Sequence, residues 1–296
     1  MKKYLFLALA LSLLLGACRP PENPVSETPS LAIITFDDGP LNKDLTTLER
    51  DPCPTEADLS RPVLELLDHL DELEVHAVFY TTGWGEYELN PECERRGDEF
   101  LRSVFQKLAT EIHHRGQILA LHAFDHHLYH TDGVTEDDLE NDILTIINEL
   151  ELAGIPYVPL WRTPYFSHQD FQHRIAERLG LKTQNVDIDS GDSFSHPDNF
   201  LHSIITQDTD WLGLVSRFLS VAVSLAQRPT NARPYNDTLF HVNGFTSRLF
   251  PEAFADLEEK LARKYNLPDL RSESTLHWFS SEDDPLIENY ISLEHP

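Results

Sequence analysis

Asp37 and Asp38 end a short apolar, β-rich run, Leu31-Ala32-Ile33-Ile34-Thr35-Phe36, and Gly39-Pro40 follows at once. Adjacent carboxylates repel each other, and a strand sends neighbouring side chains to opposite faces. Both can serve one pocket only at a strand end or beside a positive charge such as a metal ion. An Asp-Asp-Gly-Pro surface turn is the plainer reading of the tetrapeptide alone. A second group lies downstream, where His122 and His126 stand four residues apart after another apolar run. If that segment turns helically, the two imidazoles can reach one metal. With Asp38 they form a two-nitrogen, one-oxygen set that leaves a coordination position for water. Fifteen histidines will produce chance pairs, and His127 and His130 are expected to face solvent. The conjunction with the acid pair is what gives the metal reading its weight.

The elements that must position these groups alternate. Apolar positions at helical spacing predict helices over 61–73, 100–115, 135–154, 170–180, 212–227 and 251–265. Short β-rich runs predict strands over 31–36, 75–80, 117–121, 156–161, 183–188 and 238–240. Thr135 with Asp138 three residues on marks a helix start, and Gly116 a helix stop. Alternation of this kind implies an α/β parallel arrangement. The reactive residues repeatedly fall just after strands, where α/β barrels place their sites. No internal repeat is seen.

The N-terminus reads as a targeting segment. Met1-Lys2-Lys3 and the apolar run from Tyr4 to Leu15 have the form of a secretory signal and are short for a membrane span. Leu15-Gly16-Ala17-Cys18 resembles a bacterial lipobox, which implies residues 1–17 as signal peptide, lipid on Cys18 and a Pro-rich tether over 18–30. Arg19 favours the outer membrane, with the protein facing the periplasm or the surface. One large domain is expected over 31–296. A formal charge of −27 opposes nucleic acid and anionic lipid, so membrane association rests on the lipid alone, and no protein partner is predicted. Cys53 and Cys93 are then the two remaining thiols of an exported chain, and a disulfide between them would tie two loop insertions together.

In order and spacing these motifs resemble the polysaccharide deacetylases of carbohydrate esterase family 4, over roughly residues 31–243. That resemblance implies a distorted, incompletely closed (β/α) barrel. It implies Asp37 as general base, with Asp38, His122 and His126 holding one divalent metal, zinc with cobalt or nickel as alternatives. Arg162-Thr163-Pro164-Tyr165 is similar to a motif in which the arginine orients the base and the tyrosine's backbone N–H helps hold the oxyanion. Asp189-Ser190-Gly191-Asp192 implies Asp192 as the residue tuning the catalytic histidine, and Leu239-Phe240-His241 implies Leu239 in the acetyl pocket and His241 as general acid. Ala123, Ser193 and Val242 depart from the residues the family usually carries there.

The chemistry fits those roles independently. Amide hydrolysis needs an activated water, a stabilised oxyanion and a protonated leaving nitrogen. Arg162 beside Asp37 would keep that carboxylate ionised, and Asp192 would favour protonated His241. Taken singly, Arg162 reads equally as a structural ion pair and His241 as a core histidine. The expected substrate is an N-acetylated glycan of the cell envelope. The alternatives are an O-acetyl-glycan esterase with the same site and a non-catalytic glycan-binding lipoprotein. Trp211 and Phe218 in the 193–237 insertion, with Trp84 or Tyr87, are candidates for stacking on sugar rings.

Overall fold

The computed structural model describes residues 30–42, 54–85, 87, 97–126, 134–166, 170–186, 188–190, 235–265, 276–281, 284 and 286–292. Within them run β1 (Ser30–Gly39), α1 (Glu56–Leu73), β2 (Ala77–Thr82), α2 (Asp98–His114), β3 (Ile118–Ala123), α3 (Glu136–Leu152), β4 (Leu160–Trp161) and α4 (Asp170–Arg178). They are followed by β5 (Lys182–Thr183), β6 (Ile188–Asp189), β7 (Tyr235–His241), α5 (Gly244–Tyr265), β8 (Leu276–Trp278) and α6 (Ile287–Ser292). The strands lie side by side in the order β5-β4-β3-β2-β1-β7-β6, and every described pairing is parallel. The sheet curls into an open (β/α) half-barrel with flanking helices: its parallel α/β character is what the alternation of elements predicts, and its incomplete closure is what the family resemblance implies. Because all strands run the same way, their C-terminal ends meet at one rim.

Strand alternation divides the core into two layers. Ile34, Phe36, Ala77 and Phe79 pack outward against α1, α2, α3 and α5. Leu31, Ile33, Val78, Tyr80, Ile118, Ala120 and Leu160 point into the barrel, where Phe279, Ile287 and Tyr290 of the C-terminal segment meet them. β8 and α6 were not anticipated from the sequence: Phe279 and α6 fill the concave side of the half-barrel, while Trp278 of β8 packs in the outer layer against Phe254. β8 pairs with Ser30–Ala32 in line with β2, whose own ladder on β1 begins only at Ile34.

Several boundaries differ from expectation for local reasons. α1 begins before residue 61 because Thr55 and Asp58 form a reciprocal capping box, and Leu59 already belongs to the buried face. The strand expected over 156–161 shrinks to two residues, since Pro156 and Pro159 have no N–H to give a ladder. The single strand expected over 183–188 is instead β5 and β6. α5 starts ahead of Pro251 because the Asn243 side chain accepts from the Thr246 N–H at 2.7 Å. The capping box at Thr135 forms as read. Trp84 is not a sugar platform: it is 4% exposed and packed between Phe105 and Phe124. Tyr87 packs partly buried against the same core. Cys18, Cys53, Cys93, Trp211, Phe218, His127, His130 and the 212–227 helix lie outside the described residues.

Phe36 locks the outer layer, with ring centroids 5.0 Å from Phe79, 5.3 Å from Phe250 and 5.9 Å from Phe240. Phe36→Ala should lower the unfolding free energy by about 3–5 kcal/mol, read from urea denaturation.

Candidate active site

The acid pair reaches one pocket through a local break in the strand rule. Asp37 continues the inward phase of β1 and pairs in register with His241 on β7 and Tyr80 on β2. Asp38 should then point outward, but its φ is 68° and the β1–β2 register slips between Asp37 and Gly39. The left-handed backbone and the bulge turn its carboxylate back toward the barrel mouth, a conformation that Asp tolerates better than most residues. Gly39 must follow, since a Cβ there would sit 2.6 Å from Val242 Cγ2.

The histidine pair is assembled without a helical turn, which corrects the condition set from the spacing. His122 lies within β3, and His126 lies beyond a bend with φ 41°. The two rings end 5.0 Å apart. The bend is pinned by Asp142 of α3, whose two carboxylate oxygens accept from the N–H groups of Phe124 (2.9 Å) and Asp125 (2.8 Å). Asp142 was missed from sequence, although an acid on the buried stripe of Leu139, Ile143 and Ile146 is a signal.

Asp38 Oδ1 lies 3.3 Å from His122 Nε2 and 3.0 Å from His126 Nε2. Three donor atoms of Asp38, His122 and His126 fall within 4.8 Å of one another. Donors around a tetrahedral zinc ion are about 3.4 Å apart at the usual bond lengths. His122 Nδ1 donates to the Arg162 carbonyl at 2.6 Å, so the lone pair of the neutral ring is on Nε2, facing Asp38. A lone pair aimed at a carboxylate oxygen calls for a cation between them, and the donor set suits a divalent one.

Arg162, fully buried at the end of β4, donates from Nη1 to Asp37 Oδ1 at 2.8 Å. Its Nη2 donates to Asp237 Oδ2 at 2.8 Å, and its Cζ lies 3.9 Å over the Tyr80 ring. Burial alone would lower its pKa, but Asp37 and Asp237 raise it well above the ordinary guanidinium value, so it stays charged. Asp237 and Tyr290 were also missed. Asp237 shares the inward phase of β7 with Leu239 and His241, and that spacing was the available signal. The Tyr290 hydroxyl donates to Asp237 Oδ2 at 2.8 Å, so the 2.8 Å contact between the two tyrosine hydroxyls has Tyr80 as donor.

Of the remaining expected residues, Leu239 is buried and His241 partly buried on β7, beside Asp37. Tyr165 sits in a short 3₁₀ turn (Pro164–Phe166) with φ 57°, is 57% exposed, and packs its ring 4.6 Å from that of His126. Asp192 lies outside the described residues. The structure therefore gathers Asp37, Asp38, His122, His126, Arg162, Tyr165, Leu239 and His241 at the C-terminal rim of one sheet.

Two outcomes follow from this geometry. Asp142→Asn can accept from only one of the two loop N–H groups, so the affinity of the candidate Asp38–His122–His126 set for a divalent cation, probed with zinc by titration calorimetry, should fall about 10–100-fold. Burial, aided by Asp237, pushes both tyrosine hydroxyls above their ordinary value of 10.0. A raised folded pKa contributes stability that is present below pH 10 and lost as pH rises beyond it, by about 1.4 kcal/mol per pH unit per group. Unfolding free energy measured from pH 9 to 11 should fall more steeply for the parent than for Tyr290→Phe.

Solved structures share this fold. The CE4 domain of a xylanase from the hindgut metagenome of Trinervitermes trinervoides superposes with a TM-score of 0.52 at 15% identity, over 90% of this chain and 95% of that one. The chitin deacetylase of Colletotrichum lindemuthianum superposes with a TM-score of 0.51 at 15% identity, over 88% and 95%. A Streptococcus mutans CE4 esterase gives 0.50 at 19%, over 78% and 83%. This chain spans 64% of the length of a similar chain, a mutant of the CE4 pseudoenzyme BA3943, which it matches with a TM-score of 0.49 at 16% identity over 78% of its own length. No curated protein sequence matches. The polysaccharide deacetylase family model matches residues 25–184, more than half of the sequence. With the acid pair, the histidine pair and the buried arginine all inside or at the edge of that span, the chain belongs to the polysaccharide deacetylase family.

Proposed function

We propose that the protein is a metal-dependent hydrolase that removes acetyl groups from an N-acetylated polysaccharide. The observation that carries this reading is the division of labour between the two adjacent aspartates: Asp38 faces His122 and His126, while Asp37 is held off by Arg162. A divalent cation held by Asp38, His122 and His126 would supply Lewis acidity toward the acetyl carbonyl and lower the pKa of water.

The chain's own residues do the rest. Asp37, oriented by the Arg162 guanidinium, takes a proton from the attacking water. The backbone N–H of Tyr165, carried on the exposed 3₁₀ turn, faces the developing oxyanion. His241, on the strand next to Asp37, gives its proton to the leaving nitrogen. The products are acetate and a free amine on the sugar. Leu239 lines the methyl side of the acetyl group. Export, lipid attachment at Cys18 and action in the cell envelope complete the proposal, and they rest on the N-terminal sequence.

Acetate release from N-acetylglucosamine oligomers by the full chain tests this. Release should require zinc, cease with a chelator, and fall about 10²–10⁴-fold in Asp37→Ala. Appearance of free amine in step with acetate identifies amide cleavage. Acetate from O-acetylated glycans alone would move the reading to an esterase, and no release from metal-loaded protein on either class would make it a glycan-binding protein.

A further inference from the structure

The guanidinium of Arg162 is held on more sides than an ion pair with Asp37 requires. Asp237 takes Nη2 on one oxygen and the Thr35 hydroxyl on the other, at 2.8 and 2.9 Å. Thr35 in turn accepts from Arg162 Nη1 at 2.8 Å. Tyr290, from α6 at the far end of the chain, donates to the same Asp237 oxygen that holds Nη2. α6 itself is fastened to the β5 edge, because Gln184 Nε2 donates to the Tyr290 carbonyl at 3.0 Å and Lys182 Nζ to the Ser292 carbonyl at 2.7 Å.

Stability alone does not call for a buried charge cluster here, although once Arg162 is buried its charge needs both carboxylates. The surrounding barrel interior is apolar, built from Leu31, Ile33, Val78, Ile118, Ala120 and Leu160. Replacing a buried ion pair by packed apolar side chains is often neutral or stabilising, so a buried carboxylate is not needed to fill the space. Its geometric effect is specific. With Nη2 tied to Asp237 and the ring of Tyr80 under Cζ, the guanidinium cannot pivot, and Nη1 presents one fixed position to Asp37.

We propose that Asp237 and Tyr290 are positioning residues of the candidate centre, acting through Arg162 to fix the carboxylate of Asp37, so that α6 is a working part of the site. This rests on the deacetylase reading of Asp37.

The test uses the full chain with Tyr290→Phe, which removes one hydroxyl, and Asp237→Asn, which keeps the side-chain shape. kcat on N-acetylglucosamine oligomers should fall about 10- to 100-fold, because small misplacements of a reacting group cost that much, while KM and zinc affinity stay within about twofold. Rotation of the Arg162 guanidinium, followed by ¹⁵N NMR, should become faster in both variants. Should Asp237→Asn fail to fold, Tyr290→Phe decides. Unchanged guanidinium rotation, an unchanged kcat, or a kcat loss matched by lost zinc affinity overturns the proposal. If the parent releases no acetate, the deacetylase reading fails, and guanidinium rotation alone decides whether Asp237 and Tyr290 hold Arg162.

Discussion

One buried positive charge organises the barrel interior. Arg162 carries its guanidinium into a region with no access to water, and only the carboxylates of Asp37 and Asp237 make that tolerable. Leaving such a charge with one partner removed costs about 3–5 kcal/mol, so each carboxylate is held as firmly as the arginine. Three strands distant in sequence, β1, β4 and β7, must therefore stay in register for the cluster to exist. The site is a consequence of that register: Asp37 is pinned at the rim, and Asp38 beside it is left to face the imidazoles.

Regular secondary structure supplies the frame, and departures from it supply the aim. Left-handed residues at Asp38, His126 and Tyr165 all lie at the rim. Each turns a group toward the mouth that the regular strand or its direct continuation would have sent elsewhere. Such conformations persist where surrounding contacts over-determine them. Here the Asp142 carboxylate secures the His126 bend, and the close approach of Val242 to Gly39 secures the turn after Asp38.

Much of this was legible from residue types. The apolar run into Asp37-Asp38, the histidine spacing, the Thr135 capping box and the alternation of elements led to a parallel α/β arrangement and to Asp37, Asp38, His122 and His126. The open barrel and the choice of Arg162, Tyr165, Leu239 and His241 came from the family resemblance. What escaped had physical causes. A spacing of four suggests a helical turn, yet a strand end and a bend bring the same two rings together, because Asp142, sixteen residues beyond His126, holds the bend. Trp84 resembled a sugar platform because exposure of an aromatic cannot be read from loop composition; Phe105 and Phe124 decide it. Asp237 and Tyr290 lie in polar stretches of sequence, Asn236-Asp237-Thr238 and Glu288-Asn289-Tyr290, and their meaning appears only once β7 and α6 converge on Arg162.

The order of strands also bears on how the chain acquires this structure. Among the described strands β1 comes first in the chain, yet it lies inside the sheet, with β7 on one side and β2 and then β8 on the other. Its pairing with β7 joins residues about two hundred positions apart, from Leu31 with Tyr235 to Asp37 with His241. Loop closure on that scale must precede the contacts that reward it, and topologies dominated by such pairings fold slowly. Until β7 is available, β1 presents a bare hydrogen-bonding edge along the very strand that carries the acid pair, and that edge is the chain's natural point of vulnerability to misassociation.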